Sequence, residues 1–224
     1  MIAHRILFVR HAETTYANVY PDITENGASQ LRQTAKELQP LILSNPEATL
    51  TIIASPAMRA QGSASVLAEA LGYPREIITE PLLSDMRYTD WPKARQIFEQ
   101  CRTGGGRVED VYDSDDRFED ISIFEPRSSV RGRFYQYMKQ CHNSLANTTD
   151  PQCILAVSHF EVLNHFLREL WSDAPWLRWA TPFGIAFEKH DRQGDIIATV
   201  SYAGRSMSSS PKVLFRLDVP ELAH

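Results

Sequence analysis

Cysteine is scarce in this sequence. Cys101, Cys141 and Cys153 are the only three, none belongs to a CxxC pair, and an odd number leaves no closed set of bridges. That excludes a disulfide framework and sets the expectation of a reducing, cytoplasmic location. Basic charge is not in excess either: 23 Lys and Arg stand against 28 Asp and Glu, a formal net charge of -5. A nucleic-acid partner would need a broad basic face, so that class is excluded. A small cationic pocket is not, because it would focus field on a single anion. No apolar run reaches the ~18–20 residues of a membrane span. No membrane partner is therefore expected, and the first residues lead straight into a strand pattern with no segment resembling a secretory signal. No internal repeat is present. The composition that remains, 43% hydrophobic and 23% charged over 224 residues, is that of a globular chain able to bury one substantial core.

Periodicity supplies the elements. Residues 6–9, 50–54 and 153–157 are apolar and β-branched runs that read as buried strands, with a further strand at 76–79. Residues 28–43, 59–71, 92–101, 129–145 and 160–170 place apolar side chains three and four apart, as helices do. Residues 183–190 and 196–202 read as two strands of a hairpin around Arg192-Gln193-Gly194-Asp195, and 206–210 as loop or tail. Between 103 and 126 the pattern fails. Gly104-Gly105-Gly106 opens a stretch whose segment from 109 to 125 holds eight carboxylates. It reads first as a solvated excursion; the competing reading is a lid over a site, since long loops are often functional. The alternation of strands and helices predicts a three-layer α/β/α sandwich with a mostly parallel sheet. Residues 1–224 are taken as a single domain, with 103–126 as a loop-rich acidic insertion.

Chemistry gathers where the buried strands end. Leu7-Phe8-Val9 runs into Arg10-His11, and Ala156-Val157-Ser158 into His159. Ligands of parallel α/β sheets bind beyond the carboxyl ends of the strands, so two histidines delivered there belong to one site. A guanidinium beside an imidazole suits a phosphoryl group, which the cation grips while a ring nitrogen attacks. Ala54-Ser55-Pro56-Ala57-Met58-Arg59 repeats the design and places Arg59 at a helix start, a natural phosphate seat. Asp85, after the third strand, is a carboxyl able to protonate a leaving oxygen and then activate water. Arg10 and Arg59 nearby should lower the pKa of His11 and keep it neutral for attack. His4, His142, His165, His190 and His224 read as structural or terminal. Trp171, Trp176 and Trp179 read as packing aromatics, with a substrate wall as the alternative.

Taken in order, Arg10-His11, Arg59, Asp85 and His159 resemble the histidine phosphatase superfamily, the group that includes the phosphoglycerate mutases. Leu-Phe-Val-Arg-His-Ala-Glu-Thr is similar to its opening motif, and Ile23-Thr24-Glu25-Asn26-Gly27 with Gln30 to its Leu-Thr-Glu-x-Gly-x-x-Gln stretch. Ser55-Pro56 through Arg59-Ala60 is similar to its Ser-Pro-x-x-Arg-Ala motif, and Val157-Ser158-His159 to its second histidine motif. The similar segments, 6–91 and 154–167, cover somewhat under half of the chain.

The resemblance implies a phosphoglycerate mutase-like fold and a metal-independent phosphatase without cofactor. His11 would be the nucleophile that becomes phosphorylated. Arg10, Arg59 and His159 would hold the phosphoryl oxygens, and Asp85 would donate the proton. Asn18, Thr24 and Phe160, at or beside motif positions, are expected to border the substrate. The expected partner is a small phosphorylated substrate or a phosphoprotein, and exposed strand edges make a homodimer a further expectation. The sequence departs from the family's pattern at four places. Ala17 stands where an asparagine is usual, Asp85 where a glutamate is, and Thr89-Asp90-Trp91 where Gly-x-Trp is. Phe160-Glu161 replaces the glycines that follow the second histidine. Two alternatives to a phosphatase therefore stay open: a mutase of small phosphorylated acids, and a phosphate-binding scaffold with weak catalysis.

Overall fold

Alternating side chains in the first strand already divide the molecule into layers. In β1 (Ala3–Arg10), Ile6 and Phe8 enter one buried cluster and Leu7 and Val9 another. The computed structural model describes residues 3–15, 22–189 and 196–216. After β1 come a short ladder of β2 (Thr14–Thr15) and β3 (Asp22–Ile23), then α1 (Glu25–Leu43), β4 (Thr49–Ala54) and α2 (Met58–Ala70). The short strand β5 (Ile78–Thr79), α3 (Trp91–Thr103), the single turn α4 (Val108–Val111) and α5 (Arg127–Ala146) follow. The chain closes with β6 (Gln152–Ser158), α6 (Phe160–Leu170), β7 (Pro182–Lys189), β8 (Ile196–Tyr202), β9 (Arg205–Ser209) and α7 (Pro211–Leu214).

Seven strands form the main sheet in the order β5-β4-β6-β1-β7-β8-β9. Its first four members run parallel, and β7, β8 and β9 extend it antiparallel. One face carries α1 and α2, whose Leu31, Leu38, Ala60, Ala64 and Leu67 pack on Leu7, Val9, Ile52 and Leu155. The other carries α5 and α6, whose Phe134, Met138, Leu163 and Phe166 pack on Ile6, Phe8 and Ala156. The expected α/β/α sandwich is this arrangement. Strand β6 is flanked on both sides and buried at Leu155, Ala156 and Val157, as its unbroken apolar run demands.

Three local expectations need correction. The strand expected over 76–79 shrinks to Ile78–Thr79. Residues 206–210, expected as loop or tail, supply most of β9, which pairs with β8 through Tyr202↔Arg205. The hairpin turns on Ala203 and Gly204, both with positive φ, the geometry two-residue hairpin loops require. Short serines on an edge strand gave little strand signal. The stretch 103–126 is not a solvated excursion. Within it Tyr112, Phe118, Ile123 and Phe124 are buried, with Phe118 ring centroids 5.2 Å from Phe124 and 6.1 Å from Phe98. Isolated aromatics among carboxylates carry no period, so the sequence hid this satellite of the core. Arg127 secures it by pairing with Glu119 and donating to the Tyr112 carbonyl at 2.5 Å. The turn expected at 192–195 lies outside the described residues.

Candidate active site

Strand register decides which residues meet. Arg10 is paired with Ser158, and Val157 with Ala54. The next residue on each strand therefore stands at one end of the sheet: His11, His159 and Ser55. Backbone bonds fix the exits, His11 N–H donating to Ser158 O at 2.8 Å and Ser55 N–H to Val157 O at 3.0 Å. The two imidazoles, 148 positions apart in the chain, have ring centroids 5.2 Å apart.

Each ring is held by a different partner. Nδ1 of His11 lies 2.8 Å from the Ala12 carbonyl oxygen. A carbonyl only accepts, so Nδ1 carries the proton and Nε2 keeps the lone pair. Nε2 of His159 lies 2.8 Å from Ser55 Oγ, while its Nδ1 is buried without a partner. Both pKa values are pushed well below the ordinary 6.5. Burial is the first cause for both. The charges of His159, Arg59 and Arg10 add to it at His11, and those of Arg59, Arg10 and Arg133 at His159. The direction expected at His11 is the one found, but burial outweighs the guanidiniums. Both rings are neutral at physiological pH.

The guanidiniums are occupied. Arg10 is buried, donates to Leu177 O at 2.9 Å and to Glu109 Oε1 at 2.5 Å, and lies 5.1 Å from the Phe160 ring and 5.7 Å from the Trp179 ring. Its Nε is buried and unpartnered. Arg59 pairs with the Asp85 carboxylate. Arg133 fixes the segment that carries that acid, donating to Ser84 O at 2.6 Å and Asp85 O at 2.9 Å while it pairs with Glu125 at 2.8 Å. Glu161, on the first turn of α6, is pushed above the ordinary carboxylate pKa by burial, against the pull of Arg10 and Arg59. Glu109 moves the other way: burial would raise its pKa, but the Arg10 charge and hydrogen bond hold it lower.

Arg10, His11, Arg59, Asp85, His159 and Phe160 thus form one neighbourhood. Thr24 has another task. It caps α1 by accepting from Gly27 N–H at 2.9 Å and donates to Glu13 Oε1 at 3.1 Å. Asn18 lies outside the described residues. Reading the sequence missed Ser55 as a histidine partner, Glu109 and Arg133. Trp179 lies over Arg10, and Trp176 packs on Phe160 at 5.5 Å. His165 is structural as expected, buried with its pKa lowered by burial to about 3. Among the described residues, no cluster of three or more His, Cys, Asp or Glu is spaced to hold a metal ion.

Solved structures share this fold at low sequence identity. A phosphoglycerate mutase from Bacillus anthracis str. Sterne superposes with a TM-score of 0.65 at 12% identity, covering 96% of each chain. A mycobacterial glucosyl-3-phosphoglycerate phosphatase gives 0.55 at 16% identity, over 83% of this chain and 91% of its own. A phosphoserine phosphatase from Entamoeba histolytica gives 0.52 at 15% identity, over 90% and 98%. No curated protein matches the sequence. The family model of the histidine phosphatase superfamily (branch 1) matches residues 6–185, which takes in Arg10, His11, Ser55, Arg59, Asp85 and His159, and the chain belongs to that superfamily.

Proposed function

We propose that this chain is a metal-independent phosphatase of phosphate monoesters, acting through a phosphohistidine on His11. One observation carries the reading. Beside a neutral His11 whose Nε2 keeps its lone pair, two buried nitrogens lack partners, Arg10 Nε and His159 Nδ1. An unpartnered buried polar atom is costly, and a phosphoryl oxygen is the kind of acceptor that would satisfy both.

In the first step the Nε2 lone pair forms a bond to phosphorus while the bond to the ester oxygen breaks. Arg10, Arg59 and His159 take the charge on the equatorial oxygens, so positioning and electrostatics supply most of the stabilisation. The monoester enters as its monoanion; as the phosphoryl group draws Arg59 away, Asp85 takes up that proton and hands it to the leaving oxygen. In the second step water gives its proton to Asp85 and attacks phosphorus, the P–N bond breaks, phosphate departs and His11 regains its lone pair.

Two other readings remain. A mutase of small phosphorylated acids would need further cations to grip a carboxylate. A binding protein with little turnover is favoured by one feature, the carboxylate that caps each guanidinium. Hydrolysis of a generic aryl phosphate separates enzyme from scaffold. His11→Ala should lower it by about 10³-fold or more, and radiolabel from the substrate should be trapped on His11 of the wild type. Equal background in both proteins and no label would overturn the enzyme reading. Asp85→Asn should slow turnover of esters with poor leaving groups while phosphate binding persists; unchanged turnover would remove Asp85 from its role.

A further inference from the structure

The pocket around His11 holds more negative charge than gripping a phosphoryl dianion calls for. Asp85 lies on Arg59 and Glu109 on Arg10, and Glu161 adds a third carboxyl that feels both guanidiniums. When a phosphoryl group takes Arg10, Glu109 loses its partner but not its place at the rim. Its side chain is 19% exposed, and it rides on α4, no residue of which is buried. The released carboxylate then borders the part of the ester that projects beyond the phosphoryl group. Cations of the same region are held in pairs of their own, although the Arg107 charge also reaches Glu109. Lys93 pairs with Asp90 at 3.1 Å, Arg95 with Glu99 at 2.9 Å and Arg107 with Asp110 at 3.0 Å, all on exposed helical turns.

We propose that Glu109 sets the charge preference of the pocket, favouring phosphate monoesters that carry an ammonium group near the phosphoryl group and rejecting those that carry a carboxylate there. This rests on the phosphatase reading and names the substrate class within it. A like charge a few ångströms away repels and an opposite one attracts, so one side chain acts on both classes in opposite senses. Discrimination of this kind needs no new contact to the favoured substrate beyond the carboxylate itself.

The test compares O-phosphoethanolamine with 2-phosphoglycolate, which place opposite charges at a similar distance from phosphorus. In the wild type, kcat/KM should favour phosphoethanolamine by ~10-fold or more. Glu109→Gln should bring the two within about threefold, Glu109→Lys should invert the order, and Glu109→Asp should keep it. Calorimetric dissociation constants for the same pair, measured on His11→Ala, report the preference without turnover. If hydrolysis is absent but the binding preference follows the charge at position 109, the proposal stands and the phosphatase reading falls. No preference in the wild type, a preference for phosphoglycolate, or one that ignores all three substitutions overturns the proposal. Failure of both compounds to bind overturns it together with the anion pocket.

Discussion

Ser55 Oγ holds the His159 ring by a hydrogen bond at 2.8 Å, and both residues are fully buried. Its removal leaves Nε2 without a partner in a dry site, a loss of about 1–3 kcal/mol in holding the ring. Ser55→Ala should therefore lower kcat by ~10-fold or more while KM for an aryl phosphate moves less. Equal changes in both, or none, would argue that the serine does not position His159. The residues of this site were legible to different degrees. Arg10, His11, Arg59 and His159 announce themselves because each follows or closely trails a buried strand. Ser55 was in view as part of a motif, but a serine after a strand has many uses, and only the neighbouring strand end supplies its imidazole. Glu109 was one carboxylate among eight, with nothing local to connect it to Arg10, 99 positions away.

At the scale of elements, the loop after β1 and the start of α1 are pressed together. A Cβ on Gly27 would stand 2.5 Å from the Glu13 carbonyl oxygen, which already accepts from Thr24 N–H at 3.0 Å. Backbone must shift to admit it, and overpacking of that kind costs about 1–3 kcal/mol. Gly27→Ala should destabilise the protein by that order in urea unfolding and also reduce activity, since Glu13 lies two residues beyond His11. Stability without activity loss would show that the loop yields independently of the histidine. Helices with clear three-and-four spacing were read to within about three residues of their ends, because packing on the sheet imposes that period. Strand β9 and the cluster under 103–126 were not. An edge strand of serines has no buried face to mark it, and Phe118 and Phe124 are buried against each other and against Phe98 of α3, contacts that no local period marks.

Among the histidines of the described residues, His11, His159 and His165 lie deepest in the interior, each with its pKa lowered by burial first of all. Unfolded, each takes a proton below about 6.5. Their contribution to stability is thus fully present above that value and is lost as pH falls toward the folded pKa values. Each histidine is worth up to about 1.4 kcal/mol per pH unit in this window, so stability should fall between pH 7.5 and pH 5.5. Urea midpoints at the two values measure it, and a flat profile would mean the rings are not buried neutral. The sequence by itself determined the alternation of strands and helices, the layered sheet and the four basic and imidazole groups that trail its strands, because propensity and burial period are local properties. Tertiary structure alone decided that Glu109 lies on Arg10, Asp85 on Arg59 and Ser55 on His159. Those contacts arise from parallel register and from the fold of the 103–126 segment over the sheet end, and a pairing between distant segments has no signature in either of them.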